Sequence, residues 1–265
     1  MDDIYEYGFH RPLDELVVFT DAIERWEFGA LDQVPGHMKL YFQALLDVFD
    51  MIDDELGKEG KSYASDYIKS TLKKIVRTYI VEAKWLHEGY TPSLEEYMSF
   101  ELASTWYESF LTTSLLGTGE LATKEAFDWA SSEPLIIQAA SVLCRLMDDI
   151  VGHKIELERG DKSTSVECYM KEHGATEDEA VVELQERIAN AWKDINTECH
   201  HPITVPMPLL TRGLNLARVM FVFYRGQDHY ENSGTLLKGI IMGSLLHGLI
   251  MLKHQVDWDT IPHQA

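Results

Sequence analysis

The sequence is short of basic residues. Its 265 residues include 23 Lys and Arg against 44 Asp and Glu, a formal net charge of −21 at pH 7. That deficit argues against a nucleic-acid partner, whose phosphates have to be neutralised by a basic surface. Cysteine is scarce as well. Cys144, Cys168 and Cys199 are too few and too scattered for a disulfide framework or a zinc site, and a reducing compartment is the default. No apolar run reaches the roughly 18 to 20 residues that cross a bilayer. The most apolar late stretch, 236–252, contains Lys238 and His247 and reads as a buried helix. Alternating strand patterns, hairpin turns, internal repeats and flexible linkers are also missing. The opening Met1-Asp2-Asp3 shows no signal or transit pattern.

What is present is core material in helical spacing. Apolar residues make up 45% of the chain, which excludes a disordered acidic tail. Leu13, Leu16, Val17, Ile23 and Trp26 recur at helical steps. A second helix is expected from about Gly36 to Leu56, with Pro35 at its first turn and Leu40, Ala44, Val48 and Ile52 on one stripe. A third covers 63–88, carrying Ile68, Leu72, Ile75, Val76, Tyr79 and Ala83. After the turn at 89–93, Ser93 and Glu96 resemble a capping box, and a long helix is expected from Leu94 to about Leu116. Glu133-Pro134 opens another helix, running to about Glu158. Helices over about 164–172, 177–199, 207–223 and 235–253 complete the pattern, with a loop at 201–206. The simplest architecture is one all-α domain, a bundle with ligand space between facing helices.

Two acidic clusters stand out. Asp2-Asp3-Ile4-Tyr5-Glu6 places two carboxylates four residues apart, so they share a helix face. In the second, Asp148, Gly152 and Glu156 recur at steps of four, with Asp149 beside the first. Like charges on one face repel, and this face continues from the apolar run Ala139-Ala140-Ser141-Val142-Leu143-Cys144. Buried like charges need a compensating cation, and carboxylate oxygens suit Mg²⁺. Arg145, one turn before Asp148, is the local partner for a bound anion. Acidic runs such as Asp53-Asp54-Glu55 and Glu95-Glu96 read as solvated faces.

Together these residues resemble the plant class I terpene synthases. Asp2 to Glu6 looks like the family's aspartate-rich motif, and Asp148 to Glu156, between Arg145 and Arg159-Gly160-Asp161, is similar to its second metal motif. Leu13-Asp14-Glu15-Leu16, Ala22-Ile23-Glu24-Arg25-Trp26, Glu82-Ala83-Lys84-Trp85, Gly89-Tyr90-Thr91-Pro92, Val166-Glu167-Cys168-Tyr169-Met170 and 191–196 extend the resemblance over the whole chain.

The resemblance implies the family's all-α isoprenoid synthase bundle. It also implies Mg²⁺, with Mn²⁺ as the substitute, joining both clusters to the diphosphate of a prenyl substrate. Departure of diphosphate leaves an allylic carbocation that cyclises in a dry, aromatic-lined pocket. Residue by residue, it assigns Asp2, Asp3, Glu6, Asp148, Asp149, Gly152 and Glu156 to the metal motifs, with Asp3 and Asp149 behind the direct ligands. Arg145 is implied to bind diphosphate, and Arg225 to reach it from a late lid that also carries Asp228 and Tyr230. Ser104, Thr105 and Tyr107 fall where a broken helix of the family lines the pocket.

This sequence departs from the pattern in three places. Glu6 replaces an Asp, Gly152 lacks the usual hydroxyl so that water must fill its place, and the family's N-terminal domain and first helices are absent. Gly152 followed by His153-Lys154 points to a sesquiterpene synthase using farnesyl diphosphate. The alternatives are a monoterpene or diterpene synthase using geranyl or geranylgeranyl diphosphate, a prenyl diphosphate synthase, and a catalytically inactive helical fragment. The expected setting is the cytoplasm, with the plastid as alternative. The expected assembly is a monomer packed against the missing N-terminal domain, with no nucleic-acid partner and no membrane span.

Overall fold

The structure, a computed structural model, describes Met1 and residues 4–5, 12–159, 163–200, 205–224, 226–229, 234 and 237–243. Among these no strand occurs. The helices are α1 (Leu13–Arg25), α2 (Gly36–Lys58), α3 (Tyr63–Glu88), α4 (Leu94–Ser104), α5 (Tyr107–Leu115), α6 (Lys124–Ser131), α7 (Leu135–Arg159), α8 (Ser165–His173), α9 (Glu177–His200) and α10 (Met207–Phe223). Short 3₁₀ turns cover Phe28–Asp32 and Leu116–Leu121, and 237–243 is helical.

Local chemistry fixes the helix ends. Ser93 Oγ accepts the Glu96 amide at 3.2 Å, Thr123 Oγ1 that of Ala126 at 3.3 Å and Thr164 Oγ1 that of Glu167 at 3.3 Å. Each side chain satisfies an amide that the first turn leaves without a partner. Only half of the capping box forms at Ser93, because the Glu96 carboxylate instead accepts from the Tyr90 hydroxyl at 2.6 Å. Gly89 and Gly174 close α3 and α8 at φ +63°, a conformation glycine adopts without a Cβ penalty.

Helix α7 is the axis of the molecule. Ile136, Ile137, Ala139, Ala140 and Leu143 on its first half pack with Leu111 and Leu115 of α5, Phe127 of α6, Ile195 of α9 and Leu209 of α10. Small residues let the neighbours come close; the Gly213 Cα of α10 sits so near Ile136 that a Cβ there would meet its side chain at 3.3 Å. A second core joins α1, α2 and α3 through Phe19, Ile23, Phe42, Phe49, Leu72 and Val76. A third seats α4, α8 and α9 beside α7 through Leu94, Tyr97, Leu146, Val166 and Leu184.

Three sequence expectations change. The stripe expected to bury α2 faces outward, with Leu40 79% and Val48 50% exposed. The neighbouring stripe, Met38, Phe42, Leu46 and Phe49, is buried instead. It carries the larger rings, so more apolar area leaves water. Ile240, Ile241 and Met242 are half-exposed where a buried helix was expected, while Leu237 is buried; residues 244–252 lie outside the described residues. The long helix from Leu94 is two helices.

That break has a local cause. Ser104 Oγ donates to the Glu101 carbonyl at 2.8 Å and Thr105 Oγ1 to the Leu102 carbonyl at 2.7 Å. Hydroxyls that bond back in this way compete with helix continuation. Trp106 follows in the left-handed region, at φ +65°. That conformation costs a bulky residue about 1–2 kcal/mol. It is held by the indole, whose Nε1 donates to the Tyr79 hydroxyl at 2.8 Å and whose ring stacks on Phe110.

Candidate active site

The second acidic cluster lies on the half of α7 that faces α4 and α8. Arg145 is its centre and is only 6% exposed. Its Nη1 donates to Asp148 Oδ2 at 3.2 Å and to Asp149 Oδ1 at 3.4 Å, and its Nη2 donates to Ser104 Oγ at 2.7 Å. Glu101 Oε2 stands 3.8 Å from Nη2 and accepts from Ser104 Oγ at 2.9 Å. Arg145 Nε is buried and has no hydrogen-bond partner among the described residues. Burial alone would lower the guanidinium pKa, yet Tyr97, Asp149, Glu101 and Asp148 around it raise it well above the ordinary value. The three carboxylates carry this effect, because Tyr97 is itself pushed far above 10, first by burial and then by Asp149 and Glu101.

The two aspartates have different surroundings. Asp149 is 1% exposed and both its oxygens are engaged: Oδ1 by Arg145, and Oδ2 by the Tyr97 hydroxyl at 2.9 Å and the Ser165 amide at 2.8 Å. It therefore pins α7 to α4 and to the start of α8, and its oxygens are directed inward rather than toward an incoming ion. Asp148 keeps a quarter of its side chain in solvent. Gly152 stands beneath Glu156, and a Cβ there would meet Glu156 Oε1 at 3.1 Å. The missing side chain is what lets the Glu156 carboxylate fold back along the Asp148 face.

Other expected residues separate by surroundings. Ser104 joins Arg145 directly, and Thr105 caps α4. The Tyr107 hydroxyl donates to the Leu216 carbonyl of α10 at 2.9 Å, so it is committed to holding α5 against α10. Asp228 is partly buried, beyond the end of α10. Asp2, Asp3, Glu6, Arg225 and Tyr230 lie outside the described residues. Between the first two clustered acids and Glu6, Tyr5 is buried, with its hydroxyl 2.7 Å from Thr20 Oγ1 and its ring 5.3 Å from that of Tyr79.

The structure adds residues that the motif did not single out. Tyr97, Glu101 and the Ser165 amide complete the surroundings of Arg145 and Asp149. Glu101 had a readable signal, an acid between Phe100 and Leu102 in an apolar helix. Tyr224, at the end of α10, is pushed up first by burial and then by Asp148, Cys144 and Asp228, which places its hydroxyl in the field of both acids. His153, 6% exposed, bonds Thr164 Oγ1 at 2.8 Å through Nδ1. With Glu82, Trp85, Tyr97 and Glu101 it lines a cavity of about 240 Å³ between α3, α4, α7 and α8.

The donor set suits a hard divalent ion that keeps water or substrate oxygens in its shell. Among the described residues no three His, Cys, Asp or Glu side chains converge as an all-protein metal cage. Asp148 and Glu156 place carboxylates on one face of α7, that of Glu156 folded back over Gly152, and among the described residues the Arg145 guanidinium faces the carboxylates of Asp148, Asp149 and Glu101.

The helical bundle and the acid-bearing face of α7 suit a metal-binding helical domain. Residues 1–194 match the family described as "Terpene synthase family, metal binding domain", and the chain belongs to that family. It is 48% identical over 247 residues to (−)-germacrene D synthase of Vitis vinifera, covering 93% of this chain and 44% of that protein. It is 46% identical over 250 residues to valencene synthase of Vitis vinifera, covering 94% of this chain and 45% of that protein. The chain thus spans less than half the length of these relatives. Isoprene synthase from grey poplar leaves, solved with three Mg²⁺ ions and dimethylallyl-S-thiolodiphosphate, superposes with a TM-score of 0.74 at 30% identity, covering 84% of this chain and 42% of that one. Family membership carries dependence on a divalent metal. Among the described residues no helix is long and apolar enough to cross a membrane.

Proposed function

We propose that this chain is the metal-binding part of a plant terpene synthase that ionises farnesyl diphosphate and converts the cation to a sesquiterpene, with Mg²⁺ as the metal. The observation that carries the reading is the buried Arg145, poised between Asp148 and Ser104 at the helix break. Relatives named for sesquiterpenoid products, at 46–48% identity, support the substrate class.

In this reading Asp148 and Glu156 of α7, together with Asp2 and Glu6, would hold the metal. Bound Mg²⁺ supplies Lewis acidity to the diphosphate oxygens. Arg145 binds the same oxygens, its Nε having no partner among the described residues. The C–O bond to the allylic carbon breaks and its electron pair leaves with diphosphate. Charge developing on the leaving group is stabilised by a guanidinium whose position Asp149 and Ser104 have already fixed. The cation then cyclises and ends by proton loss to give a hydrocarbon. Aromatic π faces around the forming cation would favour its positive charge. By the family resemblance, Arg225, Asp228 and Tyr230 would add to the diphosphate site. The remainder of a longer protein completes the pocket wall, and the cytoplasm is the setting.

The test is incubation with Mg²⁺ and geranyl, farnesyl or geranylgeranyl diphosphate, followed by detection of volatile hydrocarbon and released diphosphate. A sesquiterpene from farnesyl diphosphate is expected. Absence of product with every substrate, in the chain and in a form extended upstream, refutes the reading.

A further inference from the structure

The break between α4 and α5 carries a residue that its backbone does not favour. Trp106 stands at φ +65°, a conformation that glycine adopts freely and a bulky side chain resists. Its side chain holds it there. The indole Nε1 donates to the Tyr79 hydroxyl of α3 at 2.8 Å, and the ring stacks on Phe110 of α5 with centroids 6.2 Å apart. Tyr79 is itself anchored in the core of α1, α2 and α3, its ring 5.3 Å from that of Tyr5. Two residues before Trp106, the Ser104 hydroxyl accepts from Arg145 Nη2 at 2.7 Å. That contact crosses from another helix and is shorter than those from the guanidinium to Asp148 and Asp149 of its own helix, at 3.2 and 3.4 Å. Where the chain turns at Trp106 therefore sets where the Ser104 hydroxyl stands beside Arg145. Backbone strain that persists is held by its surroundings, and here one hydrogen bond from a distant helix does the holding.

We propose that Tyr79 is a positioning residue for the reaction: through the Trp106 indole it fixes the turn that brings Ser104 to Arg145, and so aims the guanidinium from the core of α1, α2 and α3. This rests on the reading of Arg145 as the diphosphate ligand. A donor displaced by a fraction of an ångström loses most where charge develops on the leaving group. The expected signature is a fall in kcat with little change in KM.

Two variants cut the same bond from its two ends. Tyr79→Phe removes the acceptor and Trp106→Phe the donor, and each keeps a ring in place. Hydrogen exchange followed by mass spectrometry reads the break in the substrate-free protein. Each variant is expected to speed exchange over residues 104–110 by about tenfold, the equivalent of one hydrogen bond. With farnesyl diphosphate and Mg²⁺, each is expected to lower kcat by about tenfold and to leave KM within about twofold. The double variant is expected to match either single one, because only one bond is lost. In a Ser104→Ala background, Tyr79→Phe is expected to lower kcat no further. Should a Phe variant not fold, Trp106→Gly takes the left-handed turn without strain and removes the same bond. A lowered melting temperature with kcat per folded molecule unchanged is a merely structural role and overturns the proposal. So does a further loss in the double variant or in the Ser104→Ala background, which assigns the effect to another contact of Tyr79. If the wild type turns over no prenyl diphosphate, the reading of Arg145 falls and the proposal falls with it.

Discussion

Asp148 and Asp149 are neighbours in sequence, yet replacing them should have opposite consequences. Asp149→Ala removes the acceptor of the Tyr97 hydroxyl at 2.9 Å and the Ser165 amide at 2.8 Å, and one of the carboxylates bonded to Arg145. Hydrogen bonds to a charged group are worth about 1.5–3 kcal/mol each, and breaking a buried ion pair by removing one partner costs about 3–5 kcal/mol. These contributions overlap, because one carboxylate makes all of them. A loss of about 3–5 kcal/mol is expected, which lowers the melting temperature by about 6–20 °C at roughly 2–4 °C per kcal/mol. Asp148→Ala removes a side chain with 25% exposure, and Arg145 keeps its other partners. It should cost about 1 kcal/mol or less and abolish diphosphate release. Urea unfolding followed by circular dichroism separates the two. Equal destabilisation by both substitutions, or a loss below about 1 kcal/mol for Asp149→Ala, refutes the division into a structural and a metal-facing aspartate. Tyr97→Phe should reproduce roughly a third of the Asp149 effect, since it removes one of the three bonds.

Further outcomes follow from individual contacts. Gly152→Ala puts a Cβ 3.1 Å from Glu156 Oε1, so it should raise helix stability by up to about 1 kcal/mol while raising the Mg²⁺ concentration needed for activity; unchanged metal dependence counts against Glu156 as a ligand. Burial pushes the Cys144 thiol up to about 12, Asp148 adding to the shift and Arg145 opposing it. At pH 8 its alkylation by iodoacetamide should be about a thousandfold slower in the native protein than in urea, as its thiolate fraction falls; similar rates contradict this. Burial works to raise the Asp53 carboxyl, but bonds from Lys69 and Ser65 lower it overall. A carboxyl depressed in the folded state stabilises above its unfolded pKa near 4, and that contribution is lost as pH falls through the folded value. Asp53→Asn should therefore cost about 0.5 kcal/mol at pH 7, a small amount because the pair is partly exposed, and the gap to wild type should close in acid. A gap that persists there refutes the linkage.

Sequence by itself determined the class of fold and which residues share the acidic face of α7. Helical spacing of apolar residues is a local property, so α3, with Ile68, Leu72, Ile75, Val76, Tyr79 and Ala83 buried as the pattern requires, was readable from the chain alone. The same spacing placed Asp148, Gly152 and Glu156 on one face. Which of two apolar stripes turns inward was not local. On α2 the choice went to Phe42 and Phe49, because the partners across the interface, Phe19 and Trp26, offer rings to pack against. The break at Trp106 depended on Tyr79, 27 residues away, to accept the indole hydrogen.

Tertiary structure also decided the roles within the acidic cluster. Asp148 and Asp149 differ only in what faces them, since Tyr97 and the Ser165 amide come from other helices and claim one carboxylate and not the other. Glu101 reaches Arg145 across 44 residues of chain, a separation no local pattern encodes. Periodicity fixes which side of a helix a residue occupies. Only packing fixes what stands opposite it, and burial opposite a partner is what turns a carboxylate into either a pin for the fold or a ligand for a metal.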